Sequence, residues 1–358
     1  MSRVVHLPHP SVEHIIAFNK ENFPGTKAKK QYIDEISRNQ GSGTPFPWNR
    51  GGHRRKFICN NGNYAKSHEI NEDHLVRNVD LYFWGEWEQP SMVTESCPNG
   101  AGCPAYIHRP FLGRLNGNVS NMYERYGSEN NPGLRYQNTD PYVFGSRFYY
   151  SCCRQTNQMK NLGRGDIIIF YGGDSNNGKN VKLDTVFVVG GKCLEYGKNI
   201  CGIYFDDPHG SRYYNDNAQN EILRYVSEAY RDGVLNAIWY GHSSTDNFHN
   251  VLYYGATYDD PVDGMFSYFI CKPQNENGEM GFPRVSYRVD NVNNNKFGFS
   301  YSLQKQKYAE GGTPILEYTG CNNTYDYWLK LTEDILNQKE QYKLGVYTEE
   351  PESFMSAE

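Results

Sequence analysis

The chain reads as an α+β protein with a central mixed or antiparallel β-sheet or pseudo-barrel, peripheral helices, and long loops rich in Asn, Gly and Tyr. Three observations predict this. Ile167, Ile168, Ile169 and Phe170, and again Val186, Phe187, Val188 and Val189, form unbroken β-branched and aromatic runs, the pattern of paired strands covered on both faces. The composition includes 30 Tyr and 35 Gly, which favours strands and irregular loops over helix bundles. Helical spacing is clearest in two places, 218–231 and 325–338, too little for an all-helical core.

Ser11 is a candidate N-cap for a short helix carrying Val12, Ile15, Ile16 and Phe18, and residues 28–37 offer a second with Tyr32, Ile33 and Ile36 inward. Residues 1–40 are therefore expected to be a helical cover, 41–345 a single elaborated α+β domain, and 346–358 an acidic tail. Gly, Ser, Pro and aromatic residues from 41 to 52 mark a surface loop. Strands are expected at 54–59, 79–87, 142–150, 166–171, 185–189 and 200–206, with another near the aromatic run Met265–Ile270. In the helix over 218–231, Ile222, Leu223, Val226, Ala229 and Tyr230 form the apolar stripe. That over 325–338 turns Trp328, Leu331, Ile335 and Leu336 inward.

At 358 residues, with 38% hydrophobic and 22% charged residues, the chain is globular and can build a core without covalent staples. A formal net charge of -5 argues against indiscriminate coating of nucleic acid while leaving room for a local basic groove. No apolar run follows Met1 and none approaches bilayer length. A cytoplasmic protein without membrane contact is expected. Nine cysteines, an odd number scattered over a long chain, fit reduced thiols.

Gly173-Asp-Ser-Asn-Asn-Gly178-Lys179 fits the spacing of a phosphate-binding loop. However, Asn180 stands where Ser or Thr should bind magnesium, and a strand follows where a helix N-terminus is required. It reads as a hairpin loop.

More unusual is Leu81-Tyr-Phe-Trp-Gly-Glu-Trp-Glu88. Strand alternation puts Trp84 and Glu86 on one face, with Phe83 and Trp87 on the other. Carboxylates beside indoles suit a pocket wall: Glu86 and Glu88 become candidate acids or nucleophiles, and Trp84 and Trp87 candidate stacking platforms. The bland alternative is a strand end whose indoles fill the core. Upstream, Pro47-Trp-Asn-Arg-Gly-Gly-His-Arg-Arg-Lys56 gathers Arg50, His53, Arg54, Arg55 and Lys56 around glycines. There Arg54, Arg55 and Lys56 could hold phosphate while Trp48 stacks, or the segment is a solvated basic flank. Cys97, Cys103 and His108, with Cys152 and Cys153, offer zinc-type donors, but Cys97 and Cys103 are spaced wider than a zinc knuckle and no second paired half follows. No metal is assigned, and no cofactor can be named.

The Gly165-Asp166 turn, the strand Ile167–Tyr171 and the run Val186–Gly190 resemble the strand pair of PUA-like domains of the EVE and ASCH kind. That resemblance implies a small pseudo-barrel that reads modified bases or RNA, in the company of nucleotide-modification and phage-defence systems. It covers one hairpin, so no ligand residue is carried over from it.

Three readings of function follow. The leading one is a nucleic-acid- or nucleotide-binding protein of a base-modification or phage-defence system, using Trp48, Trp84 and Trp87 for stacking and Arg54, Arg55 and Lys56 for phosphate. The second is an enzyme acting on a nucleotide or N-glycosidic bond with Glu86 as acid or nucleophile. The third is a structural or partner-binding protein with a tyrosine-rich interface.

Overall fold

The computed structural model describes residues 3–9, 13, 55–87, 91–97, 103–110, 112, 139–151, 159–173, 180–197, 226–230, 234, 249–274, 281–288, 321, 323–339 and 341–352. Sheet dominates these residues, with twelve strands in one mixed, connected network.

The central pair is the one expected. β7 (Ile167–Gly173) and β8 (Asn180–Gly197) run antiparallel, pairing Ile167 with Val188 and Ile169 with Val186. All eight residues of the two apolar runs are fully buried. Alternate residues serve opposite faces: Ile168, Phe170, Phe187 and Val189 enter one apolar layer, while Ile167, Ile169, Val186 and Val188 enter the other. An antiparallel hairpin partner after Gly173, in place of a helix, also removes the geometry a phosphate-binding loop needs.

A tight turn precedes β7. Gly165 has φ +84, a conformation open to glycine at little cost. Asp166 accepts hydrogen bonds from the backbone N–H of Gly163 (2.8 Å) and of Arg3 (2.7 Å). The second bond fixes the start of β1 (Val4–His9), which pairs with β7 in parallel. This strand lies inside the segment expected to be a helical cover; of the helix expected at 11–18 only Glu13 is described, in a parallel bridge to Arg55, and the helix expected at 28–37 lies outside the described residues.

On the far side of β8, β10 (Tyr268–Pro273) is the hub of the sheet. It pairs successively with β8, with β12 (Lys343–Thr348) and with β3 (Leu75–Glu86). β2 (Arg55–Ala65) then joins β12 to β3, so the ladders β10–β12–β2–β3 close a circuit. Glycine makes the close approaches possible: a Cβ on Gly345 would stand 2.2 Å from the Phe269 ring, and one on Gly62 would stand 2.2 Å from the carbonyl oxygen of Tyr347. Because β12 continues to Thr348, the tail expected from residue 346 begins inside the sheet. Glu349 still donates its N–H to Asn61 (2.8 Å).

β5 (Tyr106–Pro110) lies parallel to β2 and carries β4 (Ser91–Ser96) on its outer side. β11 (Val285–Arg288) pairs with the first residues of β8, and β9 (His249–Gly255) pairs with its last residues and with β6 (Tyr149–Tyr150). One helix longer than a single turn is present among the described residues, α1 (Thr324–Leu336). Asn323 caps it by accepting from Asp326 N–H at 2.8 Å. Its buried stripe includes Trp328, Leu331 and Ile335, three of the four residues expected to face inward, while Leu336 is half-buried. Trp328 Nε1 donates to the Phe266 carbonyl at 3.1 Å and so satisfies the indole in the core. The helix expected over 218–231 is described only at 226–230, where Glu228–Tyr230 form one turn; the strand expected at 200–206 lies outside the described residues. No described helix is long and apolar enough to cross a membrane.

Candidate functional site

Hydrophobic strands place four charged side chains together inside this sheet. Arg55 opens β2 and stands directly across from Glu86 at the end of β3, so both project from the same face. Arg55 Nη1 donates to Glu86 Oε2 at 2.7 Å. Asp184 arrives from β8 by an irregularity: Phe170 pairs with Thr185 but Tyr171 pairs with Leu183, which leaves Asp184 as the extra residue of a β-bulge. A bulge re-aims a side chain that the regular pleat would send elsewhere. Arg284, immediately before β11, grips Asp184 with a two-pronged contact, Nε to Oδ1 at 2.6 Å and Nη2 to Oδ2, and also donates to the Lys182 carbonyl at 3.0 Å.

Asp184 Oδ2 also lies 3.0 Å from Arg55 Nε. That nitrogen is out of line for a hydrogen bond, so the contact is an ion pair only. Side-chain exposure is 1% for Arg55, 0% for Glu86, 2% for Asp184 and 3% for Arg284. Burial pulls the Arg284 guanidinium below its usual value, and the facing Asp184 opposes the shift. A buried ionic network of this kind adds little net stability relative to apolar packing, because desolvation offsets the Coulomb gain.

Two Arg55 donors therefore lack a hydrogen bond, and of the two only Nε has an ion-pair partner. Arg55 Nη2 is buried and has no hydrogen-bond partner among the described residues. A buried N–H group without an acceptor costs roughly 1–3 kcal/mol, and more when the group is charged. The chain enters this corner from Trp48–Arg54 and leaves it into Glu88. Aromatic rings form the adjoining wall: Phe57 lies 5.2 Å from Trp84 and 5.1 Å from Phe282, centroid to centroid.

The structure sorts the candidates read from sequence. Trp84 and Glu86 share one face while Phe83 and Trp87 share the other, as alternation required. Both indoles are core residues in this conformation, a correction to their reading as stacking platforms. Trp84 donates Nε1–H to the Phe282 carbonyl at 2.9 Å, and Trp87 is fully enclosed against Phe144 at 5.0 Å. Glu86 is buried, and Arg55 occupies one of its oxygens. Arg55 and Lys56 are both fully buried, a correction to their reading as an open phosphate-binding flank. They point to opposite faces, Arg55 into the ionic network and Lys56 across Gly85. Trp48, Arg54 and Glu88 lie outside the described residues.

His108 is buried, with Nδ1 3.0 Å from Ser91 Oγ. Among the described residues no three His, Cys, Asp or Glu side chains converge as metal ligands, so Cys97, Cys103 and His108 are not brought together as a zinc site; Cys152 and Cys153 lie outside the described residues. Sequence reading missed Asp184 and Arg284. Asp184 sits in an apolar run that looks like plain strand, and only the single charge between Leu183 and Thr185 could have flagged it. Comparison of the chain with protein-family models, curated proteins and solved structures gives no match.

Proposed function

We propose that this is a cytoplasmic nucleic-acid- or nucleotide-binding protein of a base-modification or defence system, with its ligand docked at the Arg55 corner of the β2–β3 pair. The observation that carries the reading is the buried Arg55 Nη2, a donor with no acceptor among the described residues. Arg55 and Arg284 are offset by Glu86 and Asp184, so the four groups already sum to zero charge. A phosphate brought among them would be a buried charge without a counter-ion. A carbonyl oxygen or ring nitrogen of a base fits better, because it accepts from a guanidinium while adding no charge. Phosphates then belong at the entry segment, where Arg50, His53 and Arg54 precede the strand.

The closed circuit of ladders β10–β12–β2–β3 supports the pseudo-barrel that the PUA-like resemblance of the central hairpin implies. The enzyme reading ranks second because both carboxylates of the corner are engaged by guanidinium groups. The test is binding by the full chain of a nucleoside series, the matching 5′-phosphates and short oligonucleotides at low salt, alongside mass spectrometry of small molecules retained on purification. Arg54→Ala should weaken oligonucleotide binding and flatten its salt dependence. Arg55→Lys, which keeps the charge but loses Nη2, should weaken nucleosides and nucleotides alike. Absence of any affinity of the wild type for all three ligand sets refutes the proposal.

A further inference from the structure

Arg284 and Arg55 use the same edge of the guanidinium group differently. On Arg284 the edge made by Nε and Nη2 is filled: Nε donates to Asp184 Oδ1 at 2.6 Å and Nη2 donates to Asp184 Oδ2. On Arg55 the same two nitrogens make no hydrogen bond among the described residues. Their N–H groups point the same way in the plane of the group, as the two donors of a rigid fork. The unused capacity of Arg55 is therefore one whole edge, not two scattered atoms.

That edge is held in place. Nη1, on the other side of the group, donates to Glu86 Oε2 at 2.7 Å, while Asp184 Oδ2 lies 3.0 Å from Nε but out of line with its N–H. At the backbone Arg55 pairs directly with Glu86 and bridges to Glu13. The side chain is 1% exposed, so its rotamer freedom is already lost, and an acceptor pair that fits the fork meets little further ordering cost.

The chemistry of the fork selects its ligand. A carboxylate or a phosphate could accept from both donors, yet it would add an unmatched negative charge to four side chains that already sum to zero. The ligand must offer two adjacent acceptors and no charge. Guanine does so through O6 and N7, the edge that arginine reads with two parallel hydrogen bonds. Adenine sets its N6 amino group beside N7, so one donor of the fork would face another donor and stay unpaired. Uracil and thymine separate their two carbonyls by a ring N–H. Cytosine has an adjacent pair in O2 and N3, but its N4 amino group flanks that pair and is turned toward the cation.

We propose that Arg55 reads guanine, with Nε and Nη2 donating to O6 and N7 of a 6-oxopurine base. The assignment rests on the proposed docking of a nucleotide or nucleic acid at this corner and adds which base is taken.

The test titrates neutral nucleosides into the full wild-type chain by calorimetry, so that no phosphate contributes. Guanosine and inosine share O6 and N7, and both should bind about 5–150-fold more tightly than adenosine and uridine, the discrimination that one bidentate pair supplies. 7-Deazaguanosine keeps O6 but has a C–H in place of N7, and it should lose most of that advantage. Arg55→Lys keeps a cation without the fork and should bring the guanosine-to-adenosine affinity ratio toward one; the base analogues decide the matter if that variant does not fold. Guanosine no tighter than adenosine, 7-deazaguanosine equal to guanosine, or cytidine as tight as guanosine overturns the assignment of the base while docking at the corner stands. Absence of affinity for every nucleoside overturns both.

Discussion

Conversion of Asp184 to Asn tests whether the ionic corner is a single cooperative unit. The carboxylate meets three guanidinium nitrogens: Arg284 Nε at 2.6 Å, Arg284 Nη2, and Arg55 Nε at 3.0 Å. An amide of the same shape keeps one acceptor oxygen and turns an NH2 toward a donor. Among the described residues, Glu86 is then the one carboxylate facing two buried guanidinium cations. Removing one partner from a buried pair costs about 3–5 kcal/mol. With an unfolding entropy of roughly 2.1 cal/mol/K per residue over 358 residues, that loss lowers Tm by about 4–7 °C. Calorimetry and urea unfolding at neutral pH supply the measurement. The double variant Asp184→Leu/Arg284→Met is the control, and it should be less damaging than Asp184→Asn because it deletes the mutual pair together. An Asp184→Asn protein within about 1 kcal/mol of wild type refutes the idea that the corner depends on this carboxylate.

Four further outcomes are expected. Ile168→Asp, which places a charge on a fully buried strand position, should cost more than about 4 kcal/mol; an unchanged Tm would show that β7 is misplaced. Asp166→Ala removes the acceptor for both Arg3 and Gly163 and should cost about 2 kcal/mol, with faster hydrogen exchange along β1 as its local sign. Burial lowers the His6 imidazole to about 3, so the unfolded chain protonates first. The stability this neutral residue carries is whole above about pH 6.5 and declines at up to about 1.4 kcal/mol per pH unit toward pH 3. His6→Gln should flatten the fall of Tm in that window. Gly345→Ala drives a methyl into the Phe269 ring and should cost about 1–3 kcal/mol; equal stability would mean that the β10–β12 crossing is looser than it stands.

Periodicity made the centre of the fold legible. The runs Ile167–Phe170 and Val186–Val189 announce burial on both faces by lacking any polar alternation, and the amphipathic spacing of Trp328, Leu331 and Ile335 marks α1 as plainly. β12 is harder to see, since Lys343-Leu-Gly-Val-Tyr-Thr348 sits beside an acidic terminus and its pairing depends on two glycines far apart in the chain. The site was half legible. Unusual text around Glu86 and Arg55 led to the corner that holds the buried ionic network, but alternation cannot say whether a strand-end indole meets solvent or another layer, and Trp87 meets another layer. Asp184 shows in the sequence only as a lone charge in an apolar run, because its role comes from a one-residue slip between β7 and β8. A slip of that kind is a property of the pair and is encoded in neither strand alone.

The position of β12 has a consequence for biosynthesis. Its residues 343–348 lie between β10 and β2, so a ribosome has already delivered both neighbours before the strand that joins them exists. Until then each holds a row of backbone amides and carbonyls without its final partner, in a chain whose core layers are already assembling. Such edges are templates for strands from other nascent chains. A polysome carrying several growing copies would concentrate them, so translation slowed shortly before residue 343 should prolong the exposure, and a chaperone that shields open sheet edges would act in that interval.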